Sequence, residues 1–170
     1  GGAANSTGLT SYLVQVNGTA GSSSAIYQGD MVIPLTNGLV DVSAADGGSV
    51  AILGVMAGCQ FVNTDGETVF TNNYPGTSSL KSNSEARVFV YDNPHQVYEV
   101  KADASLTDIA TATALIHSNA EGVNFGSQNG STGISIGEIS VATAGATTAT
   151  DNFRIVGIKD PFDEIDVTSA

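Results

Sequence analysis

The chain has 170 residues, of which 41% are hydrophobic and only 13% are charged, and its formal net charge is −12. This acidity argues against nucleic-acid and anionic-membrane partners, because both need a basic protein surface. The length predicts a single domain over residues 1–170, with a hairpin insertion around residues 57–103 as an alternative organisation.

Short β-rich runs separated by turn residues make up the first part of the chain. The first strand is predicted at residues 12–16. Residues 31–35 and 38–42 are predicted to pair as a hairpin across the turn at Asn37. The almost uniformly apolar run at residues 50–56 predicts a strand buried on both faces.

Two further hairpins are predicted in the middle of the chain. The first joins residues 60–62 to residues 68–70 through an Asp-Gly turn. The second joins residues 87–91 to residues 96–100 through a turn that contains Pro94, whose ring fixes its own φ angle.

The last third of the chain contains the one predicted helix. Ser105 and Asp108 resemble a capping box, and the apolar residues that follow fall close to helical spacing, so a short helix is predicted within residues 105–118. Residues 133–141 alternate as a half-buried strand does, with residues 153–158 as its partner or neighbour. Many short strands with one helix predict a mainly-β fold, either a small barrel or a sandwich with hairpin excursions.

The residues that could carry chemistry do not form a recognisable catalytic pattern. His95 and His117 are separated in the chain, no Gly-x-Ser-x-Gly elbow occurs, and Cys59 has no cationic neighbour in the sequence. We therefore predict no catalytic, cofactor-binding or metal-binding residues, with Cys59 buried and inert. The acidic C-terminus is interpreted as a solvated tail, with a calcium site as the less favoured alternative, at Asp160, Asp163, Glu164 and Asp166.

Several segments occur together in an order that resembles a known family. They are residues 27–32, 38–40, 52–59, 74–75, 90–94 and 98–103. Their order and spacing resemble the capsid decoration, or cement, proteins of tailed bacteriophages. The resemblance covers roughly residues 25–103 well and 152–158 loosely. The N-terminal lead and the final apolar strand of such proteins are not found in this sequence.

The resemblance implies a β-rich structural protein without cofactor on the outer surface of a virion. Its partners would be the major capsid protein and further copies of itself, most simply in a homotrimer. The alternatives are a coat protein proper, which the short chain disfavours, and a surface receptor-binding or carbohydrate-binding module. An enzyme is the least favoured class.

Two segments are the candidate contacts with the capsid or with other subunits. Strand edges need a partner, and closed symmetry is the common way to supply one. The candidate residues are Tyr12, Val14 and Val16 on the first strand, and Tyr74 and Pro75 in a loop.

Overall fold

The computed structural model describes residues 8–43, 51–106, 108–141 and 151–159. Within these ranges the fold is mainly β, with one α-helix, α1 (Ile109–Leu115). The strands in chain order are β1 (Leu9–Val16), β2 (Thr19–Ala20), β3 (Ile26–Tyr27), β4 (Met31–Pro34), β5 (Val40–Val42), β6 (Gly54–Val62), β7 (Thr68–Thr71), β8 (Asn73–Tyr74), β9 (Ala86–Tyr91), β10 (Asn119–Ala120), β11 (Gly122–Val123), β12 (Glu138–Ile139) and β13 (Phe153–Arg154).

Seven of these strands form one antiparallel sheet, in the order β2-β1-β9-β6-β4-β5, with β7 also paired to β6. Strand β6 organises this sheet, because β9 pairs along one edge and two strands share the other. Strand β4 pairs with the beginning of β6 and β7 pairs with its end. The other strands of the described residues form three two-stranded pairs, β3 with β8, β10 with β13 and β11 with β12.

The locally encoded strands and hairpins are confirmed. Residues 12–16 lie within β1, and β4 pairs with β5 as predicted. The intervening turn closes where the Leu35 amide donates to the Leu39 carbonyl at 2.8 Å, and the Asn37 side chain accepts from the Leu39 amide. Strand β7 pairs with the end of β6, as the Asp-Gly turn between them predicted.

The boundaries predicted for the apolar run at residues 50–56 are wrong. The strand begins at Gly54 and continues to Val62, so the two strands predicted at 50–56 and 60–62 are one. A register shift between Met56 and Gly58 lets the strand pass through the Ala-Gly step without losing its pairing with β9.

The predicted hairpin between residues 87–91 and 96–100 is also wrong. Strand β9 forms, but residues 96–100 are not a strand. The reason is that β1 and β6 already pair with the two edges of β9, so no edge is left for a hairpin partner. Residues 96–100 instead turn back beside β9, where the Tyr98 hydroxyl donates to the Tyr91 carbonyl at 2.8 Å.

The last third contains the predicted short helix but not the predicted strand pair. Helix α1 lies within residues 105–118, and its cap is Asp108, whose carboxylate accepts from the Thr111 amide at 2.7 Å. Of residues 133–141, only β12 is a strand, and it pairs with β11. Residues 153–154 pair with β10, not with residues 133–141.

One apolar core lies on the inner face of the main sheet. Its buried members include Val14, Met56, Phe61, Val88 and Val90, with Ile26 and Tyr74 from the β3–β8 pair packed against them. The sheet curls until β5 approaches β1, and a Cβ on Gly21 would lie 2.2 Å from the Val40 carbonyl. In the described part of the chain no strand pairing joins β5 to β1. The mainly-β prediction is therefore confirmed in its sandwich-like form and not as a closed barrel.

Residues 57–103 supply most of β6 and all of β9, which are the central strands of the main sheet. The organisation as one domain over residues 1–170 stays a prediction.

Candidate functional site

A buried carboxylate holds the loop around residues 124–137 against the main sheet. Asp30, which is 0% exposed, follows β3 and precedes β4. Its side chain accepts the Tyr27 amide at 2.7 Å, the Gly126 amide at 3.0 Å and the Ser135 hydroxyl. Burial raises the pKa of Asp30, and these three hydrogen bonds act in the opposite direction.

Backbone hydrogen bonds strengthen the same attachment. The Gln28 amide donates to Gly133, the Ser135 amide donates back to Gln28, and the Met56 amide donates to Asp30. The Asn72 side chain donates to the Thr132 carbonyl at 2.9 Å. Residues 124–137 are therefore held against the outward side of β6. They lie beside the face of the main sheet that does not pack against the core.

That outward surface, which we call the outer face, is formed by β1, β9, β6 and β7. Cross-strand pairing places Leu9, Tyr91 and Val55 in one row, and Leu13, Arg87, Gln60 and Phe70 in another. Ser11, Phe89 and Gly58 lie between these rows. Phe70 is 68% exposed, and Leu9, Leu13, Val55 and Phe89 are half-buried. The sheet is thus apolar on both faces, but only the inner face is covered by the core.

Two strand edges border the outer face. Strand β1 pairs with β9 along one edge, whereas on its other edge β2 pairs only with Gln15 and Val16. Within the ranges that the structure describes, residues 9–13 therefore have one edge without a strand partner, and so does β7 beyond β6. Unpaired edges and apolar faces are features of protein-contact surfaces.

At the end of the outer face near Val55 and Tyr91 lies an open depression of about 380 Å³. Its walls include the aromatic residues Tyr98, Phe125 and Phe153 and the half-exposed Ile134. Glu99 and Lys101 also line it, and each is neutralised by an ion pair, with Lys159 and Glu138 respectively. The depression is thus apolar inside and nearly neutral at its rim.

The candidate contact residues on β1 have different surroundings. Val14 is fully buried in this chain's own core, and Val16 is half-buried. The half-buried Tyr12 donates its hydroxyl to Asp92 at 2.6 Å, and this hydrogen bond holds the pKa of Asp92 below its usual range. The Val14 side chain is therefore not available to a partner.

The two candidate contact residues at Tyr74 and Pro75 also differ in burial. Tyr74 is 0% exposed in the core, and its hydroxyl donates to the Ser22 carbonyl at 3.2 Å. Pro75 is half-buried. The structure brings neither residue to the outer face. A contact role for these five residues stays a prediction.

The nucleophile and base candidates have different surroundings in the fold. Cys59 is buried in the core on β6, and its thiol donates to the Asn73 carbonyl at 3.0 Å. His95 is exposed in the turn after β9, and His117 is exposed just after α1. Burial raises the pKa of the Cys59 thiol to about 12, which keeps it protonated and unreactive.

We expect Cys59 to resist a thiol-specific reagent at pH 8 in the folded protein. With a pKa of about 12, roughly one thiol in ten thousand is ionised at that pH. Labelling should become rapid in urea, where the thiol returns to its ordinary pKa of about 8.5. Absorbance of the released reagent measures both rates, and rapid labelling under native conditions would contradict the buried placement.

No group of three or more His, Cys, Asp and Glu residues that could hold a metal occurs in residues 8–43, 51–106, 108–141 and 151–159. The acidic cluster at Asp160, Asp163, Glu164 and Asp166 lies outside the described residues. None of the helices in those ranges combines the length and apolarity that a membrane span requires. Comparisons of the chain with protein-family models, with curated proteins and with solved structures found no match.

Sequence reasoning missed Asp30 and the outer face. Two of the three partners of Asp30, Gly126 and Ser135, lie 96 and 105 residues away in the chain, and no local pattern indicates them. The outer face did have a signal, since the run Val88-Phe89-Val90-Tyr91 is apolar at both alternating positions. Such a run is typical of a strand whose two faces both contact apolar groups.

Proposed function

We propose that this chain is a structural virion protein that decorates and stabilises the outer surface of a bacteriophage capsid. It binds the major capsid protein and other copies of itself, most simply as a homotrimer. It has no catalytic activity and no cofactor, and it binds neither nucleic acid nor membrane. The observation that carries the proposal is an apolar outer face bordered by strand edges that have no strand partner among the described residues.

Three features support this function. The motif order from residues 27 to 103 resembles that of decoration proteins, and the mainly-β fold is of the kind that the resemblance implies. The edge of β1 at residues 9–13 offers backbone groups to a strand of a partner, a common mode of protein association. Many identical copies on a lattice reinforce weak individual contacts, so a small contact surface is sufficient.

A surface-binding module is the second candidate, because the depression beside Tyr91 is lined by aromatic side chains. Aromatic walls with a few polar groups are typical of ligand sites. A coat protein proper is the third. Imaging of the native particle separates the three, since they predict an additional outer layer, a fibre or spike tip, and the continuous shell respectively.

The decisive experiment is to heat particles with and without this protein. Decorated capsids should rupture at a higher temperature than capsids that lack it, and adding back purified protein should restore the difference. Light scattering of the free protein should give about three times the chain mass of 17.2 kDa. An unchanged rupture temperature would refute the stabilising role, and a monomeric mass would refute the trimer.

A further inference from the structure

We propose that Phe70 of one copy inserts into the depression beside Tyr91 of a neighbouring copy, forming the contact between subunits. This inference rests on the self-association proposed above and identifies the surfaces that produce it. The occupant of the depression is thus a second copy of this chain.

The Phe70 side chain and the depression match in size and shape. Phe70 projects from the outward side of β7 and, at 68%, is the most exposed of the large apolar residues that the structure describes. The depression has a volume of about 380 Å³, whereas an apolar cavity of roughly 150 Å³ is enough to bind benzene. A phenyl ring therefore fits, and the aromatic walls formed by Tyr98, Phe125 and Phe153 suit edge-to-face contacts.

The charged residues beside Phe70 and around the depression also favour this contact. Two copies with a net charge of −12 repel each other unless they meet where the acidic excess is absent. Three of the five basic residues lie at this surface, Arg87 in the row of Phe70 and Lys101 and Lys159 at the depression. Each of the three is paired with an acid, so the meeting surfaces are close to neutral.

The contact joins two different surfaces. When two copies meet in this way, one copy still has an unoccupied depression and the other still has an exposed Phe70 side chain, so a further copy can be added at each end. Such a contact between unlike surfaces forms a closed oligomer, such as the proposed trimer, when the rotation between copies closes, and an open filament when it does not. Each contact removes one exposed Phe70 side chain from water, and this burial supplies most of the hydrophobic free energy of association.

The test compares Phe70→Ser with Val97→Ser in sedimentation velocity over a range of protein concentrations. Val97 is a matched control, because it is 66% exposed and does not line the depression. Phe70→Ser should weaken self-association about 10- to 100-fold, as loss of one buried aromatic side chain implies. Val97→Ser should associate as the unmodified chain does.

A cross-linking test approaches the contact from the other side. Ile134 lies in the wall of the depression and is 50% exposed. Thr68 lies two residues from Phe70 on the same side of β7, and changing it keeps the Phe70 ring. A mixture of Thr68→Cys and Ile134→Cys proteins should form an intermolecular disulfide on mild oxidation. A mixture of Thr68→Cys and Ser82→Cys should not, because Ser82 is exposed but does not line the depression. Circular dichroism checks that each variant is folded.

The outcomes separate this contact from the function proposed above. Equal association of the Phe70→Ser and Val97→Ser proteins would overturn the contact and leave self-association standing. A monomeric unmodified chain at every concentration would overturn both, while the effect on capsid rupture temperature would still report separately on decoration.

Discussion

Replacing Asp30 by alanine should reduce the free energy of unfolding by about 3–5 kcal/mol. The substitution removes one acceptor side chain and leaves three donors without it, the amides of Tyr27 and Gly126 and the hydroxyl of Ser135. An unpaired buried polar group costs about 1–3 kcal/mol, and the cavity left behind adds to the loss. Urea denaturation monitored by circular dichroism measures the difference.

Two further variants make this prediction specific. Ser135→Ala removes one of the three hydrogen bonds to Asp30, and with it the hydroxyl that accepts from the Gly137 amide, and should cost about 1–2 kcal/mol. Asp65→Ala changes an exposed aspartate and should alter the stability by no more than about 0.5 kcal/mol. If Asp30→Ala were as stable as Asp65→Ala, the buried attachment of residues 124–137 would be wrong.

The pH dependence of the same site has a definite sign. Because burial raises the pKa of Asp30 in the folded chain, the folded state favours the neutral carboxyl more than the unfolded state does. The resulting stabilisation is present below the ordinary aspartate pKa of about 4 and is lost as the pH rises through the folded pKa. Relative to Asp30→Asn, which does not titrate, the natural protein should therefore lose stability as the pH rises from 4.

The second large effect is expected from Gly54→Ala, which should destabilise the protein by about 3 kcal/mol. A Cβ at this position would lie 2.1 Å from the carbonyl oxygen of Tyr91 and 2.7 Å from Cγ1 of Val90. Since Val55 pairs with Tyr91, the added methyl group would push the two central strands, β6 and β9, apart at that end of their ladder. Thermal unfolding measured by calorimetry should show a clearly lower Tm.

Gly157→Ala is the matched control for this change. A Cβ on Gly157 would meet no atom within 4 Å, and its φ angle is not in the left-handed region. Its stability should change by less than about 1 kcal/mol. A similar Tm for both alanine variants would show that β6 and β9 are not packed as closely as the structure has them at Gly54.

The sequence predicted those strands whose partners are close in the chain. The β4–β5 hairpin and the pairing of β7 with β6 follow from turn residues that lie between the strands. Residues 96–100 show the limit of this reasoning, since their pattern suits a strand equally well. Whether they pair depends on β1, about 80 residues earlier, which already occupies one edge of β9.

The surfaces proposed for function depend on the same long-range pairing. Phe70, Arg87 and Leu13 lie side by side only because β7, β6, β9 and β1 are neighbours in the sheet. The depression combines residues from 28 to 153. A single sequence indicates that these residues are apolar or charged, but not that they meet. Asp30 likewise lies in the segment 27–32, but the pattern of that segment does not indicate that the Asp30 side chain is buried.

The pairing of β1 with β9 also has a consequence for how the chain folds during synthesis. Strand β1 begins at Leu9, and its partner ends at Tyr91, so the first strand leaves the ribosome long before the strand that completes its ladder. High contact order of this kind slows folding, because loop closure precedes the gain from the contact. Until residues 86–91 have emerged, β1 has only its two-residue pairing with β2, so its apolar residues are open to contacts with other chains during that interval.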